Sequence, residues 1–208
     1  MPLHSASSAS AEQPAPADYK IAAALDRLGT VFRSLLQEAA QSGDPSLSPL
    51  QAQILLFLHT HALDLGRVGQ LAREFEVSAP TVSDAVRVLV KKGLLTKQRD
   101  PADGRATVLS LSAAGQVVTQ HLERWADTVR ASVAEASPSD QAVVLSFLLN
   151  LIGRLHTQDL ISVARTCTTC QFFARHVHTG TDAEHHCMLL DAPLALSDLR
   201  LDCADHKV

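Results

Sequence analysis

An excess of positive charge is missing from this chain: 18 Lys and Arg stand against 22 Asp and Glu over 208 residues, a formal net charge of -4. That balance excludes a protein that coats nucleic acid indiscriminately, because such binding rests on many phosphate contacts from Lys and Arg. Aromatic residues make up only 4% of the chain. With Ala and Leu abundant, this scarcity favours packed helices over a β-sandwich, whose strands draw on Val, Ile, Tyr and Phe. No apolar run is long enough to span a bilayer, and the opening MPLHSASSASAEQPAPAD lacks the positive start and apolar stretch of a secretory signal. A cytoplasmic location with no membrane partner is expected. A Gly-rich phosphate loop, a nucleophile elbow and a His-Glu-x-x-His helix are also missing, which argues against an enzyme.

What is present is a chain 46% hydrophobic, enough for one full-size domain and a small appendage. Residues 1–17, rich in Ser, Ala and Pro, read as a disordered tail. From Asp18 the positions Ile21, Leu25, Leu28, Phe32, Leu35 and Leu36 recur at helical steps, up to Ser42-Gly43-Asp44-Pro45. Ser48-Pro49 with Gln51 predicts a capped second helix to about His61. A short helix over about 68–75 follows, then one capped by Ser78 that runs to Lys92 and closes at Gly93. Leu94 to Arg99 and Ala106 to Leu111 read as strands of a hairpin around Asp100-Pro101-Ala102-Asp103-Gly104. Ser112 should cap one long helix through Val133, and Ser137-Pro138 another to Leu155 that is apolar on more than one face and so suited to a subunit interface.

Helix, helix, recognition helix and two-stranded wing, in that order between about Leu47 and Leu111, describe a winged helix-turn-helix. Val82, Val86 and Leu89 fall on one face of the recognition helix. Ala79, Thr81, Ser83, Asp84 and Arg87 are left to face DNA, where hydroxyls and a guanidinium can bond phosphates or base edges. Lys91, Lys92, Lys97, Arg99 and Arg105, against only Asp100 and Asp103, form a local basic patch on a mildly acidic body.

Leu71-Ala72, Val77-Ser78-Ala79-Pro80, Thr81-Val82-Ser83, Lys92-Gly93-Leu94 and Asp103-Gly104-Arg105 together resemble the pattern of the multiple-antibiotic-resistance-regulator (MarR) family, with the likeness covering about Asp18 to Leu155. The resemblance implies a mainly α fold with a small β-hairpin wing and a homodimer whose first and last helices interlock. It also implies a palindromic double-stranded DNA target, Arg105 held by Asp103 at the wing tip, and a small, mostly apolar effector. Gly104 stands where the family commonly has a basic residue, so weaker flanking contacts are expected.

After about Asp159 the composition shifts to Thr, His, Asp and Cys, which divides the chain into a DNA-binding and dimerisation domain over 18–158 and a module over 159–208. All four cysteines lie in that module, as Cys167-x2-Cys170-x16-Cys187-x15-Cys203. Four thiolates, two of them on one turn, form a reasonable donor set for soft or borderline metals. CTTCQFF with Cys187-Met188-Leu189-Leu190 and Cys203 resembles the cluster-binding pattern of high-potential iron–sulfur proteins, which implies a [4Fe-4S] cluster shielded by Phe172 and Phe173. Zinc is one alternative, with one of His176, His178, His185, His186 or His206 able to replace a cysteine, and a metal-free thiol switch or inert cysteines is another. The expected function is a transcription regulator sensing redox, iron or a related signal. A structural zinc site beside a small-molecule effector, or a cluster-bearing electron-transfer protein, are the alternatives.

Overall fold

The computed structural model describes residues 16–61, 65–99 and 107–208. The expected N-terminal tail lies almost wholly outside these residues, and the wing tip with Asp103, Gly104 and Arg105 entirely so. The helical body comprises α1 (Ala17–Ser42), α2 (Pro49–Thr60), α3 (Val68–Glu74), α4 (Ala79–Lys91), the hairpin β1 (Leu95–Arg99) and β2 (Thr107–Leu111), then α5 (Ala113–Leu122), α6 (Asp127–Ala134) and α7 (Pro138–Thr157).

Local chemistry accounts for the starts of these helices. Ser48 Oγ accepts from the Gln51 amide at 3.3 Å while Gln51 Oε1 accepts from the Ser48 amide at 3.2 Å. This reciprocal cap on α2 contributes about 1 kcal/mol. Ser78, Ser112 and Ser137 cap α4, α5 and α7 through their side chains. Gly93 ends α4 at φ +72°, and its amide and that of Leu94 donate back to Val90 and Leu89 carbonyls, closing the last turn. At Gly115 a Cβ would sit 2.1 Å from the Leu94 carbonyl oxygen. Only glycine lets α5 start directly against the base of the wing.

The core joins Leu36 and Ala40 of α1, Ile54 and Leu55 of α2, Leu71 of α3, Val82, Val86 and Leu89 of α4, and Leu94, Leu95 and Leu109 around the wing. β1 and β2 pair antiparallel from Leu95↔Leu111 to Arg99↔Thr107. The fold is therefore mostly helical with a small hairpin, in the order the sequence predicts.

The structure corrects one element. The single long helix expected after Ser112 is two, α5 and α6, separated by a 3-10 turn at Glu123–Ala126. Trp125 in that turn packs toward Phe32 of α1, with ring centroids 6.1 Å apart. The apolar spacing continues across the break, so periodicity alone does not reveal it.

Beyond α7 the chain forms a sheet absent from the sequence reading. β3 (Phe173–Ala174), β4 (His185–Cys187) and β5 (Ala192–Leu194) pair antiparallel in that order. These strands have two or three residues each, too short for alternation to show. The module rests on α7 through a second core of Leu149, Cys167 and Leu199, joined by Leu145, Phe173, Leu194 and Leu196.

Candidate DNA interface and cysteine site

α4 buries Val82, Ala85, Val86 and Leu89 and leaves Ala79, Thr81, Ser83, Asp84, Arg87 and Lys91 exposed along the opposite side. The exposed residues expected on the recognition helix thus share one face. Thr81 Oγ1 lies 2.7 Å from Ser78 Oγ, so its hydroxyl already has a partner at the helix start. Arg87 Nη2 donates to Asp84 Oδ1 at 2.8 Å. Lys97 and Arg99 are exposed on β1, two residues apart and so on one side of the strand. Lys92, by contrast, turns inward and donates to the Ser46 carbonyl. Arg105 lies outside the described residues.

The turn that aims α4 has its own device. Glu76 sits at φ +53°, and the Glu76 and Val77 amides return to the Arg73 and Ala72 carbonyls, so α3 ends in a left-handed cap before Ser78 begins α4. A glutamate in this conformation is held by an outside contact: its Oε1 accepts from the Ser162 amide at 2.9 Å.

All four cysteines are free thiols, and all four line one cavity with Phe172, Phe173, Leu189, Leu190 and Leu194. The 3-10 turn Cys167–Thr169 presents Cys167 and Cys170, since the Cys170 amide bonds back to the Cys167 carbonyl. β4 supplies Cys187 opposite Phe173. Cys203 arrives on the last segment, its amide donating to the Arg165 carbonyl at 2.9 Å. Arg200 serves two sulfurs: its amide donates to Cys167 Sγ at 3.1 Å and its guanidinium to Cys203 Sγ at 3.7 Å. Burial pushes the Cys167 thiol up, against the Arg200 amide, and the other three cysteines add to the rise.

None of the five histidines named from the sequence lines that cavity. His178 Nε2 lies 3.0 Å from His186 Nδ1, His176 Nδ1 lies 2.8 Å from Glu184 Oε2, and His206 Nε2 lies 2.9 Å from Thr169 Oγ1. Among the described residues no three His, Cys, Asp or Glu side chains are placed to share one metal ion.

The sequence reading missed Arg165, Glu74, His61 and Asp202. Arg165 Nη2 donates to Glu74 Oε2 at 2.9 Å and Nε to Asp202 Oδ1 at 2.6 Å, while His61 pairs with Asp202. The Asp202 hydrogen bond, outweighing burial and helped by Glu74, raises the Arg165 pKa further above its ordinary value. Burial pushes Asp202 up, but the bonds from Arg165 and His61 prevail and hold its carboxyl below the usual range. Nothing in the spacing of these residues announces the contact.

The described helices and hairpin define a winged helix-turn-helix domain, a DNA-binding class of fold. Residues 46–106 match the model of the MarR family. The transcriptional regulator AdcR of Streptococcus pneumoniae is 28% identical over 118 residues, covering 55% of this chain and 79% of AdcR. Two solved structures share the fold. The Staphylococcus aureus MepR–DNA complex has a TM-score of 0.57 at 17% identity, covering 67% of this chain and 99% of MepR. Streptococcus pneumoniae FabT in complex with DNA has a TM-score of 0.55 at 19% identity, covering 69% and 99%. The winged-helix fold is thus shared with these two proteins, and about a third of the chain lies outside each structural match. Among the described residues no helix is long and apolar enough to cross a membrane.

Proposed function

We propose that this MarR-type regulator reads a palindromic DNA site as a two-fold dimer and senses redox or iron through a [4Fe-4S] cluster held by Cys167, Cys170, Cys187 and Cys203. The observation that carries the sensing half is the placement of four free thiols around one cavity. A mononuclear zinc site draws its sulfurs to about 2.3 Å from one centre, whereas a polynuclear cluster spreads them around a larger body. Four cysteine sulfurs around one cavity are a donor set of the kind such a cluster uses. Such a group supplies one-electron chemistry and sensitivity to oxidants.

The chain's own residues do the rest. Phe172, Phe173 and Leu194 would cover the half-buried sulfurs in part, and the two Arg200 donors would offset the negative charge that four thiolates accumulate. On the DNA side, Ser83, Arg87 and Lys91 would meet base edges and phosphates, with Ala79, Thr81 and Asp84 beside them, and Lys97, Arg99 and Arg105 would hold the flanking backbone. Tyr19, Ile21, Leu28 and Val31 of α1, and Val143, Val144 and Phe147 of α7, are exposed apolar residues available to a second copy. Two-fold symmetry then calls for a palindromic target. A small effector of the kind the family resemblance implies would meet, in the crevice among Phe75, Ile152, Ile161 and Leu201, the charged groups of Glu74, Arg165 and Asp202 as well.

The test is anaerobic purification followed by visible absorbance, iron, sulfide and zinc analysis, and DNA binding across a salt series. Brown protein with stoichiometric iron and sulfide and a salt-sensitive, sequence-selective shift is expected. Colourless protein carrying stoichiometric zinc overturns the cluster, and a loaded protein with no selective shift in either form favours electron transfer instead.

A further inference from the structure

One guanidinium stands between the cysteine cavity and the DNA-reading helices. Arg165 lies two residues before Cys167. Its side chain bridges Asp202, which precedes Cys203, and Glu74, the last residue of α3. The same guanidinium lies over the ring of Phe57 in α2, 5.7 Å from its centroid, and His61 stacks on that ring at 3.8 Å while also reaching Asp202.

The backbone repeats this connection. The Cys203 amide donates to the Arg165 carbonyl at 2.9 Å, and the Cys167 amide donates to the Arg200 carbonyl at 3.1 Å. Two cysteines are thus tied by single hydrogen bonds to the two segments that carry the bridge. Ser162, three residues before Arg165, holds Glu76 in the turn between α3 and α4. The segments from Ser162 to Cys167 and from Arg200 to Cys203 are thus bonded to the end of α3 and to the turn that aims α4.

The Arg165 side chain is 17% exposed and that of Glu74 22%, so these are partly buried charges. Removing one partner from such a group leaves an uncompensated charge, which is far more costly than loosening a surface pair.

We propose that Arg165 is the positioning residue that couples the state of the four-cysteine site to DNA reading, by holding Glu74 of α3 against Asp202 beside Cys203. This rests on the four-cysteine reading above. A full set of sulfur bonds pins Cys167 and Cys203, and with them Arg165 and Asp202, whereas free thiols leave the two segments to shift and α3 with them. By linkage, DNA must alter retention of whatever the cysteines hold by the same factor that loading alters DNA affinity.

The experiment uses the full chain, wild type and the variants Arg165→Met, Arg165→Lys and Glu74→Gln. Each is reconstituted anaerobically with ferrous iron and sulfide. Iron content and visible spectrum are measured first. Affinity is then measured, loaded and metal-free, for a duplex that the wild-type protein selects from a random library. Wild type should show a change of about tenfold between the two forms, within the usual range for coupled sites. Arg165→Met and Glu74→Gln should load iron as wild type does, yet lose most of that difference, and Arg165→Lys should restore part of it. Hydrogen exchange of the α3 amides should respond to loading in wild type and not in Arg165→Met; a merely structural role would lower protection equally in both forms. Should Arg165→Met lose its fold by circular dichroism, Glu74→Gln decides.

A full loading response in variants that carry iron overturns the coupling, as does equal affinity of the two wild-type forms. Failure of wild type to take up iron and sulfide overturns the cluster reading itself, and the spectrum separates that outcome from the others.

Discussion

Arg87 Nη2 lies 2.8 Å from Asp84 Oδ1, three residues apart on the exposed face of α4, with both side chains more than 70% open to solvent. In the proposed reading, a cation that would meet DNA is thus held, in the free protein, by a carboxylate that DNA phosphates repel. An exposed pair of this kind contributes only about 0.2–1 kcal/mol to stability, so it opens readily. Asp84→Asn should leave thermal stability almost unchanged and tighten binding to random-sequence DNA at low salt. Arg87→Ala should weaken the selected site by about 1–3 kcal/mol and relax its sequence preference. Fluorescence anisotropy across a salt series reads both; looser non-specific binding by Asp84→Asn would overturn the assignment.

Phe147 is 46% exposed on α7, with Val143 and Val144 on the same helix more exposed still. Phe147→Glu removes no packing from the described core. It should convert dimer to monomer in sedimentation velocity and abolish binding to a palindromic duplex while sparing helical content. A variant that stays dimeric places the interface elsewhere.

Leu149 is fully buried and centres the small core between α7 and the cysteine module. Leu149→Ala should cost about 2–5 kcal/mol, as for other large-to-small changes in tight cores. The loss should fall on the module first, seen as early proteolysis after α7 in a chain whose winged helix still resists. Uniform protection along the chain would show that the module does not depend on this contact.

Arg200 carries a cationic donor 3.7 Å from Cys203 Sγ. A positive charge beside a sulfur-ligated centre favours the form that has gained an electron. Arg200→Gln should lower the midpoint potential of iron-loaded protein in an anaerobic redox titration, with iron content preserved. An unchanged potential means that this side chain does not act on the sulfurs.

Much of the helical body is legible in the residues because its signals are local. A serine cap with proline and glutamine behind it, apolar steps of three and four, and Gly93 after α4 each act within a turn or two, and the structure reproduces them at Ser48, Val82–Leu89 and Gly93. Where a signal is continuous the reading fails: the same apolar periodicity runs through α5, the 3-10 turn at Glu123–Ala126 and α6. The break follows from packing near α1, which no window along the chain contains.

The cysteines divide in the same way. Their number and spacing can be read off the chain, and they raise the expectation of a sulfur-bound centre. That all four meet in one cavity, that no histidine among the described residues lines it, and that Arg200 supplies donors to two of the sulfurs are facts of tertiary structure. Sequence by itself determined the mostly helical winged-helix class, because capping and amphipathic burial are short-range consequences of side-chain chemistry. Only the folded chain decided that Arg165, Glu74 and Asp202 form one bridge. Residues 91 and 37 positions apart meet through the docking of a whole module, and long-range electrostatic contacts leave no periodic trace in the sequence.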